Sequence, residues 1–534
     1  KTLLQNHPHD SICGCSVDEV HREMVTRFAA VHQIGNTLLE RNLRALAPSA
    51  ATPGVMLFNP TSWSRREWVK VTIDWPEDQA PPAEVLLLDE QNQPVPCILE
   101  GGMPKESFQS GGDFVPFWQK VKQYTLSFLT PELPPMGHRF LRLEAGKPAP
   151  VEQAVSVTEQ TLENEHLKLT VKDGRLELLD KASGRFFKDV HSFLDEGDAG
   201  DEYNFDPPVE DRIVHSTLVG SAVMRQTPTW GVLRLDYELL LPLSLTADRK
   251  ARAEETRTLR VTSYLTLRAG DRRVEVRTEL DNAILDHRLR VCFRFGEGDF
   301  TILREGHFGV FPTHPATPLP LPVAPLTETP VRTFAQMSFS ALEGQTKGLA
   351  VAVQGLPEAE VVDDALQVTL LRCVDWLSRD DLRTRGGGAG PHFPTPEAQC
   401  QGYQVFEYAI IPYTGPWTEA GVMTEAHRAV AAIACQPIPA EGEESGFDWG
   451  FSLGDPRLVV SALKCAPQAE GIVLRVLNPS SDPVEAEIRA EGMEFFCSNL
   501  LEDQGEALGR DGVRDHWRPY GLSTFFLKNG DKKE

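Results

Sequence analysis

The chain is poor in the features that mark several protein classes. Its nine cysteines are an odd number with no CxxC pair, and Cys13 and Cys15 stand too close for an ordinary disulfide. That excludes a secreted disulfide framework and a zinc ribbon. No Asn-x-Ser/Thr sequon lacks an intervening proline, so a reducing, cytoplasmic setting is expected. No stretch approaches the ~18 consecutive apolar residues of a membrane span. The G-x-G-x-x-G fingerprint is absent, and GGGAG at 386–390 opens no helix, so it reads as a flexible loop rather than a dinucleotide site. Basic charge is short: 53 Lys and Arg against 77 Asp and Glu leave a net charge of −24. Nucleic-acid binding needs a basic face and is disfavoured. The first residue is Lys1, no signal-peptide pattern follows it, and the text enters on KTLLQNHPHDSICGCS. So loaded a start raises the expectation that an upstream portion precedes it.

What is present is material for several cores. The 534 residues are 41% hydrophobic, a length that corresponds to about three or four domains. Ser16 followed by Glu19 forms a capping box, and Val17, Val20, Met24, Phe28, Val31, Leu38 and Leu46 recur at mostly helical spacing. This predicts one long helix, closed at Ala47-Pro48, with a stripe it cannot bury by itself. After Pro53 the pattern becomes β almost throughout. The clearest hairpin is 166–171, Asp173-Gly174, 176–179, because Asp-Gly tolerates the positive φ of a type I′ turn. A second spans 265–280, and a short helix is expected within 418–433. VMLFNPTS at 55–62 and LRVLNPSS at 474–481 echo each other, which fits two small β-sandwiches flanking a larger one. Pro148 and Pro150 punctuate the first boundary, 312–330 is a Pro-rich excursion, and 436–446 reads as a linker.

Candidate chemistry is sparse. His7, His9 and Asp10 in NHPHD are zinc-type ligands but too few for a centre. In an extended chain the two histidines point to opposite sides, and an exposed loop with chance histidines is the competing interpretation. Asp198, Asp201 and Glu202, interleaved with Gly197 and Gly200, suggest a tight acidic loop that lacks EF-hand spacing; a solvated turn is the simpler alternative. Arg372 closes an alternating strand, where a salt-bridged strand end competes with a substrate clamp. His21 and His32 read as ordinary helix residues, and Trp63, Trp68 and Trp118 as core or sheet packing rather than sugar platforms.

The run NHPHDSICGCSVDEVHREMVTRF closely resembles the histidine-aspartate motif of glycoside hydrolase family 38, the zinc-dependent retaining α-mannosidases, and especially bacterial members related to mannosylglycerate hydrolase. LFNPTSW, ELPPMGHRFLRL, ENEHLKLTVKDG, GDAGDEYNFDPP, DHRLRVCFRF, GLPEAEV, LLRCVDWLSRDDLRTR and FEYAIIPYTGPW continue the likeness in family order. The resemblance implies a mainly β fold: a short helical middle-domain segment, then β-sandwich modules that include a large β-supersandwich. The expected division is 1–50, the end of the helical domain with the zinc-ligand motif; 51–148, a small sandwich; 149–436, the supersandwich; and 447–534, a last sandwich.

The same resemblance implies the chemistry. His9 is the expected Zn2+ ligand, with Pro8 standing where many relatives carry a second histidine. Asp10 and Tyr203 are expected to bind sugar hydroxyls, with Asp201 as a companion, and Arg372 or Arg379 to contact the sugar or a substrate carboxylate. No catalytic residue is expected within the chain, because family members carry the nucleophile and acid/base in an N-terminal α/β-barrel. The expected partners are that domain and a mannose-containing oligosaccharide or mannosyl glycoside, with homo-oligomers open. The alternative is a non-catalytic carbohydrate-binding β-protein, against which the NHPHD motif argues.

Overall fold

The computed structural model describes residues 1–47, 53–77, 84–111, 114–438, 450–467 and 469–530. Pro48 and most of the expected linker lie outside these residues. The chain folds as two compact units, Lys1–Asn36 with Ala154–Val430, and Thr37–Gln153 with Ala431–Glu534.

Helices are few. Helix α1 is a single turn, His9–Cys13, α2 runs from Asp18 to Leu46, and α3 from Val422 to Val430. The break before α1 corrects the extended-chain expectation for NHPHD. Leu3–Asn6 is a 3-10 turn, Pro8 sits at the N-cap with φ −50° and ψ 142°, and His9 opens a helical turn. Helix α2 runs through Gly35 and Asn36 without a break, but Glu19 pairs with Arg22 at 3.0 Å. Its stripe is only partly covered: Met24 is buried, Val17, Val20, Val31 and Leu46 are partly buried, and Phe28 and Leu38 are exposed.

The rest is antiparallel sheet, as the mainly β expectation requires. In the first unit, sheets of five, six and nine strands share one apolar core built on Leu, Val and Phe. Trp230–Pro242 alternates buried and partly exposed residues, as a strand with one face on the core must. The Asp-Gly hairpin forms as expected, with Leu167–Lys172 paired to Arg175–Asp180 and φ of 49° and 69° at Asp173 and Gly174.

The six-stranded sheet positions the site. Ser192–Gly197 and Ala365–Cys373 both pair antiparallel with His287–Arg294, so the two outer strands run parallel and end at the same edge. The loops that follow them, 198–208 and 374–395, therefore leave side by side. Strand His287–Arg294 is buried on both faces. One face gives Leu289, Val291 and Phe293 to the core. The other carries Arg288 and Arg290, paired to Glu196 at 2.7 and 2.8 Å, and Arg288 stacks 3.7 Å from the Phe205 ring centroid. Loop 198–208 is thereby clamped onto the sheet.

The second unit has sheets of five, three and five strands among the described residues. The Asn-Pro echo is structural. Asn59 Oδ1 accepts from Thr61 N and Oγ1 at 3.1 and 2.7 Å, and Asn478 Oδ1 accepts from Ser480 N and Oγ at 3.0 and 2.7 Å. Both side chains are fully buried and donate onward to carbonyls that close the turn. Trp118 packs on the sheet rather than in a core. It is 65% exposed and leans on Phe108, 5.0 Å away, across the long hairpin of Cys97–Gly111 and Phe114–Leu129.

Candidate functional site

Four segments of the first unit converge: α1 with the turn behind it, the start of α2, loop 198–206 and segment 372–397. Asp18 Oδ2 accepts from Glu397 N at 3.2 Å, and Arg22 pairs with Glu397, which binds the start of α2 to the last of these.

Loop 198–206 is built from the inside. Asp198 and Asp201 are both fully buried, which corrects the solvated-turn alternative. Asp198 accepts from Gly200 N at 2.8 Å, Asp206 N at 3.2 Å and Arg372 Nε at 2.7 Å. Asp201 Oδ1 accepts from Tyr203 N and Asn204 N at 3.0 and 2.9 Å, and its Oδ2 from Arg379 N at 2.8 Å and Arg385 Nη2 at 2.5 Å. Gly200 is required, since a Cβ there would lie 2.0 Å from Asn204 O. The sheet edge supplies cations and the loop supplies anions and carbonyls, so each fixes the other.

The structure places the two expected arginines within this frame. Arg372 also donates to Asp201 O and Asn204 O, at 2.5 and 2.7 Å. Arg379 holds Asp381 with two bonds of 2.8 and 2.7 Å. Arg385 was not singled out in the sequence, yet it binds Asp201, Asn204 Oδ1, Arg379 O and Gly387 O. The glycine run at 386–390 is anchored rather than free. Ser378 Oγ accepts from Ala389 N and Gly390 N at 2.9 and 3.1 Å, and Gly386 N donates to Thr327 O at 2.8 Å.

Asp10 and Tyr203 lie within electrostatic reach of one another at the outer end of this frame. Cys15 N donates to Asp10 O at 2.9 Å, and its Sγ stands 3.8 Å from Asp10 Oδ1. Burial, then the Asp10 charge, pushes the Cys15 thiol up to about 11. Burial also raises the Tyr203 phenol, with Cys15, Asp10, Asp201 and Glu202 adding to it. Its hydroxyl stands against the Gly390 backbone, where a Cβ would approach to 3.1 Å. A half-exposed carboxylate and a partly exposed phenol can accept from and donate to hydroxyl groups.

His9 is at the rim, its side chain 93% exposed and its Nε2 3.6 Å from Asp10 Oδ1. A zinc centre takes three or four protein ligands. Among the described residues no group of three or more His, Cys, Asp or Glu side chains converges to hold a metal, which also speaks against a Ca2+ site in the acidic loop. The residues present do not by themselves fit zinc.

Residues 162–383 match the glycosyl hydrolases family 38 C-terminal domain. It is 27% identical, over 98% of its length and 62% of the relative's, to a Halalkalibacterium halodurans protein named "Putative mannosylglycerate hydrolase". An α-mannosidase structure from Enterococcus faecalis V583 superposes with a TM-score of 0.86 at 25% identity, over 99% of this chain and 62% of that one. A second E. faecalis family 38 structure gives 0.84 at 24%, over 99% and 65%. The chain thus spans under two thirds of the length of each of these relatives. No helix among the described residues is long and apolar enough to cross a membrane.

Proposed function

We propose that this chain is the sugar-facing C-terminal part of a zinc-dependent retaining α-mannosidase acting on α-mannosides, mannosylglycerate among them. The observation that carries the reading is that Asp10 and Tyr203, from separate segments of the first unit's sequence, lie within electrostatic reach of one another on a frame otherwise spent on self-support. In this reading Asp10 accepts from a mannose hydroxyl and Tyr203 Oη bonds a neighbouring one. Asp201, Arg372, Arg379 and Arg385 hold Tyr203 in place through loop 198–206. His9 offers one imidazole to a metal whose other ligands come from outside the described residues. A retaining glycosidase also needs two carboxyls about 5–5.5 Å apart. Asp198 and Asp201, saturated by amides and guanidiniums, are not such a pair. The chain alone is therefore proposed to bind mannosides without cleaving them, in a cytoplasmic setting.

Turnover of 4-nitrophenyl α-mannoside tests this. The 534-residue chain should give no zinc-dependent rate, while the chain extended to the length of its relatives should give one that His9→Ala abolishes. Zinc-dependent turnover by the 534-residue chain, or full activity in the His9→Ala variant, overturns the reading.

A further inference from the structure

The nine-stranded sheet of the first unit gives one face to the core and turns the other outward. Four of its strands lie side by side: Thr256–Arg268, Val274–Asn282, Gly402–Tyr413 and Gly348–Val353. Leu265, Val276, Tyr408 and Val353 go to the core, so the alternate residues occupy the outer face. Register sets those alternates in two rows. Thr266, Glu275, Ala409 and Ala352 stand opposite one another in the first, and Tyr264, Arg277 and Glu407 in the second. Gln354 extends the second row, its N donating to Glu407 O at 3.3 Å. Helix α3 packs on Gly348–Val353 and Gly402–Tyr413, and its Glu425 is fastened to Arg273 at 2.9 Å. Where the helix ends, at Ala429 and Val430, a groove of about 220 Å3 opens onto both rows.

Some of the charge in this groove is already spent. Glu275 pairs with Arg268 at 2.7 Å and with Arg273 at 3.3 Å. Glu407 is different. It stands directly opposite Arg277, where side chains of opposite charge commonly pair across strands, yet the guanidinium turns along its own strand to Glu279. Among the described residues, the exposed Glu407 carboxylate and Gln354 amide have no side-chain partner. A guanidinium carries five donors, so Arg277 keeps some beyond its bond to Glu279. This lining selects against net charge, because Glu407 repels an anion and Arg277 repels a cation. A hydroxyl accepts from one and donates to the other. The two are direct cross-strand neighbours, with Cβ atoms about 4.5–5.5 Å apart, within reach of adjacent hydroxyls on one ring. Ala352, Ala409 and Val430 offer no side-chain hydrogen bond and suit a C–H face. The volume falls below the roughly 300–1,000 Å3 of pockets for drug-sized ligands, which limits the occupant to a single ring.

We propose that this groove is a binding site for one neutral pyranose or a polyol of that size, held by Arg277, Glu407 and Gln354 with its C–H face on Ala352 and Ala409. Glu407 accepts from one hydroxyl, Arg277 donates to its neighbour, and Gln354 does either. The ligand class rests on the groove alone; the choice of a mannoside as probe rests on the proposed function.

Saturation-transfer NMR with methyl α-mannoside on the 534-residue chain tests this without any turnover. The chain carries Asp10→Asn and Tyr203→Phe throughout, so that the sugar contacts of the proposed function do not contribute. The probe should bind in that background. Glu407→Ala should weaken it about tenfold or more, the loss of a hydrogen bond to a charged group, and Gln354→Ala several-fold. Ala429→Phe, which fills the groove, should abolish the binding. Mannuronate and mannosamine, rings of the same size that carry a charge, should each bind several-fold more weakly than the neutral probe. Glu407 and Gln354 are exposed, so E407A and Q354A stand as the test if Ala429→Phe fails to fold. No binding in that background, binding unmoved by E407A, or tighter binding of either charged sugar overturns the proposal. Binding by the wild-type chain that vanishes in the background overturns it too, and leaves the mannosidase reading standing. Failure of the turnover test leaves the groove result untouched.

Discussion

Asp201→Asn changes a single atom type at the centre of the frame, and its cost can be worked from the contacts. Asp201 is fully buried, and its Oδ2 accepts from Arg385 Nη2 at 2.5 Å and from Arg379 N at 2.8 Å. An amide nitrogen at that position opposes donor to donor on both contacts. Turning the amide over moves the same conflict onto Tyr203 N and Asn204 N. Hydrogen bonds to charged groups contribute about 1.5–3 kcal/mol each, and breaking a buried ion pair costs about 3–5 kcal/mol. We therefore expect D201N to cost about 3–5 kcal/mol. For a unit of some three hundred residues that is a fall in Tm of roughly 6–10 °C, extrapolating from smaller domains. The assay is thermal unfolding of D201N, Arg385→Met and the double variant, with hydrogen exchange on 198–206 and 378–387. The double variant should cost less than the sum of the singles, since each single strands the other's buried group. A loss of under about 1 kcal/mol for D201N, or a strictly additive cycle, would refute the account of the loop as held from inside by a charged pair.

Two further outcomes follow from other parts of the first unit. In a catalytically competent longer protein, Tyr203→Phe should lower kcat/KM about 5- to 30-fold, the loss of one hydrogen bond to substrate, with stability unchanged; an unaltered kcat/KM removes Tyr203 from the sugar. His191 is buried between Tyr237 Oη at 3.0 Å and Tyr408 Oη at 2.8 Å, and burial drives its pKa down to about 3. A folded pKa below the unfolded one gives stability that is complete above about pH 6.5 and falls as pH drops towards 3. The stability gap between wild type and His191→Gln should therefore shrink by about 2 kcal/mol from pH 6.5 to 5, and a gap constant in pH would refute a neutral buried imidazole.

What could be read in advance divides by the range of the interaction. Asp173-Gly174 and the two Asn-Pro turns are decided within a few residues, and they form as their side-chain chemistry dictates. Asp10 and Tyr203 stood out through resemblance, and their proximity needed the fold. Arg385 had no local signature, because its partner Asp201 lies far back in the chain and approaches only through the strand order. Glu407 had none either. Whether an acid is saturated or orphaned depends on which neighbours reach it, and composition carries no such information. Whether Trp118 would pack in a core or on a sheet stayed open for the related reason that a tryptophan on a strand does not reveal which face of a long hairpin it will occupy.

The distribution of charge in the site follows one economy of contacts. Arg372, Arg379 and Arg385 look, by residue type, like a clamp for an anionic substrate. Yet Arg372 meets Asp198, Arg379 meets Asp381 and Arg385 meets Asp201, and the remaining donors go to loop carbonyls. A guanidinium so committed can attract an anion only by releasing an acid it already holds, and for the buried pairs that means uncovering a charge. Under the proposed function, the frame therefore favours a neutral sugar at Tyr203 and Asp10. If the natural substrate carries a carboxylate, as mannosylglycerate does, the group that meets it should come from outside this frame. Arg372→Met in a longer, active protein separates the two cases. Loss through misplacement of loop 198–206 lowers activity on neutral and anionic mannosides alike, whereas a direct clamp would spare the neutral one. We expect equal losses on both substrates, and a selective loss on the anionic one would return Arg372 to the substrate.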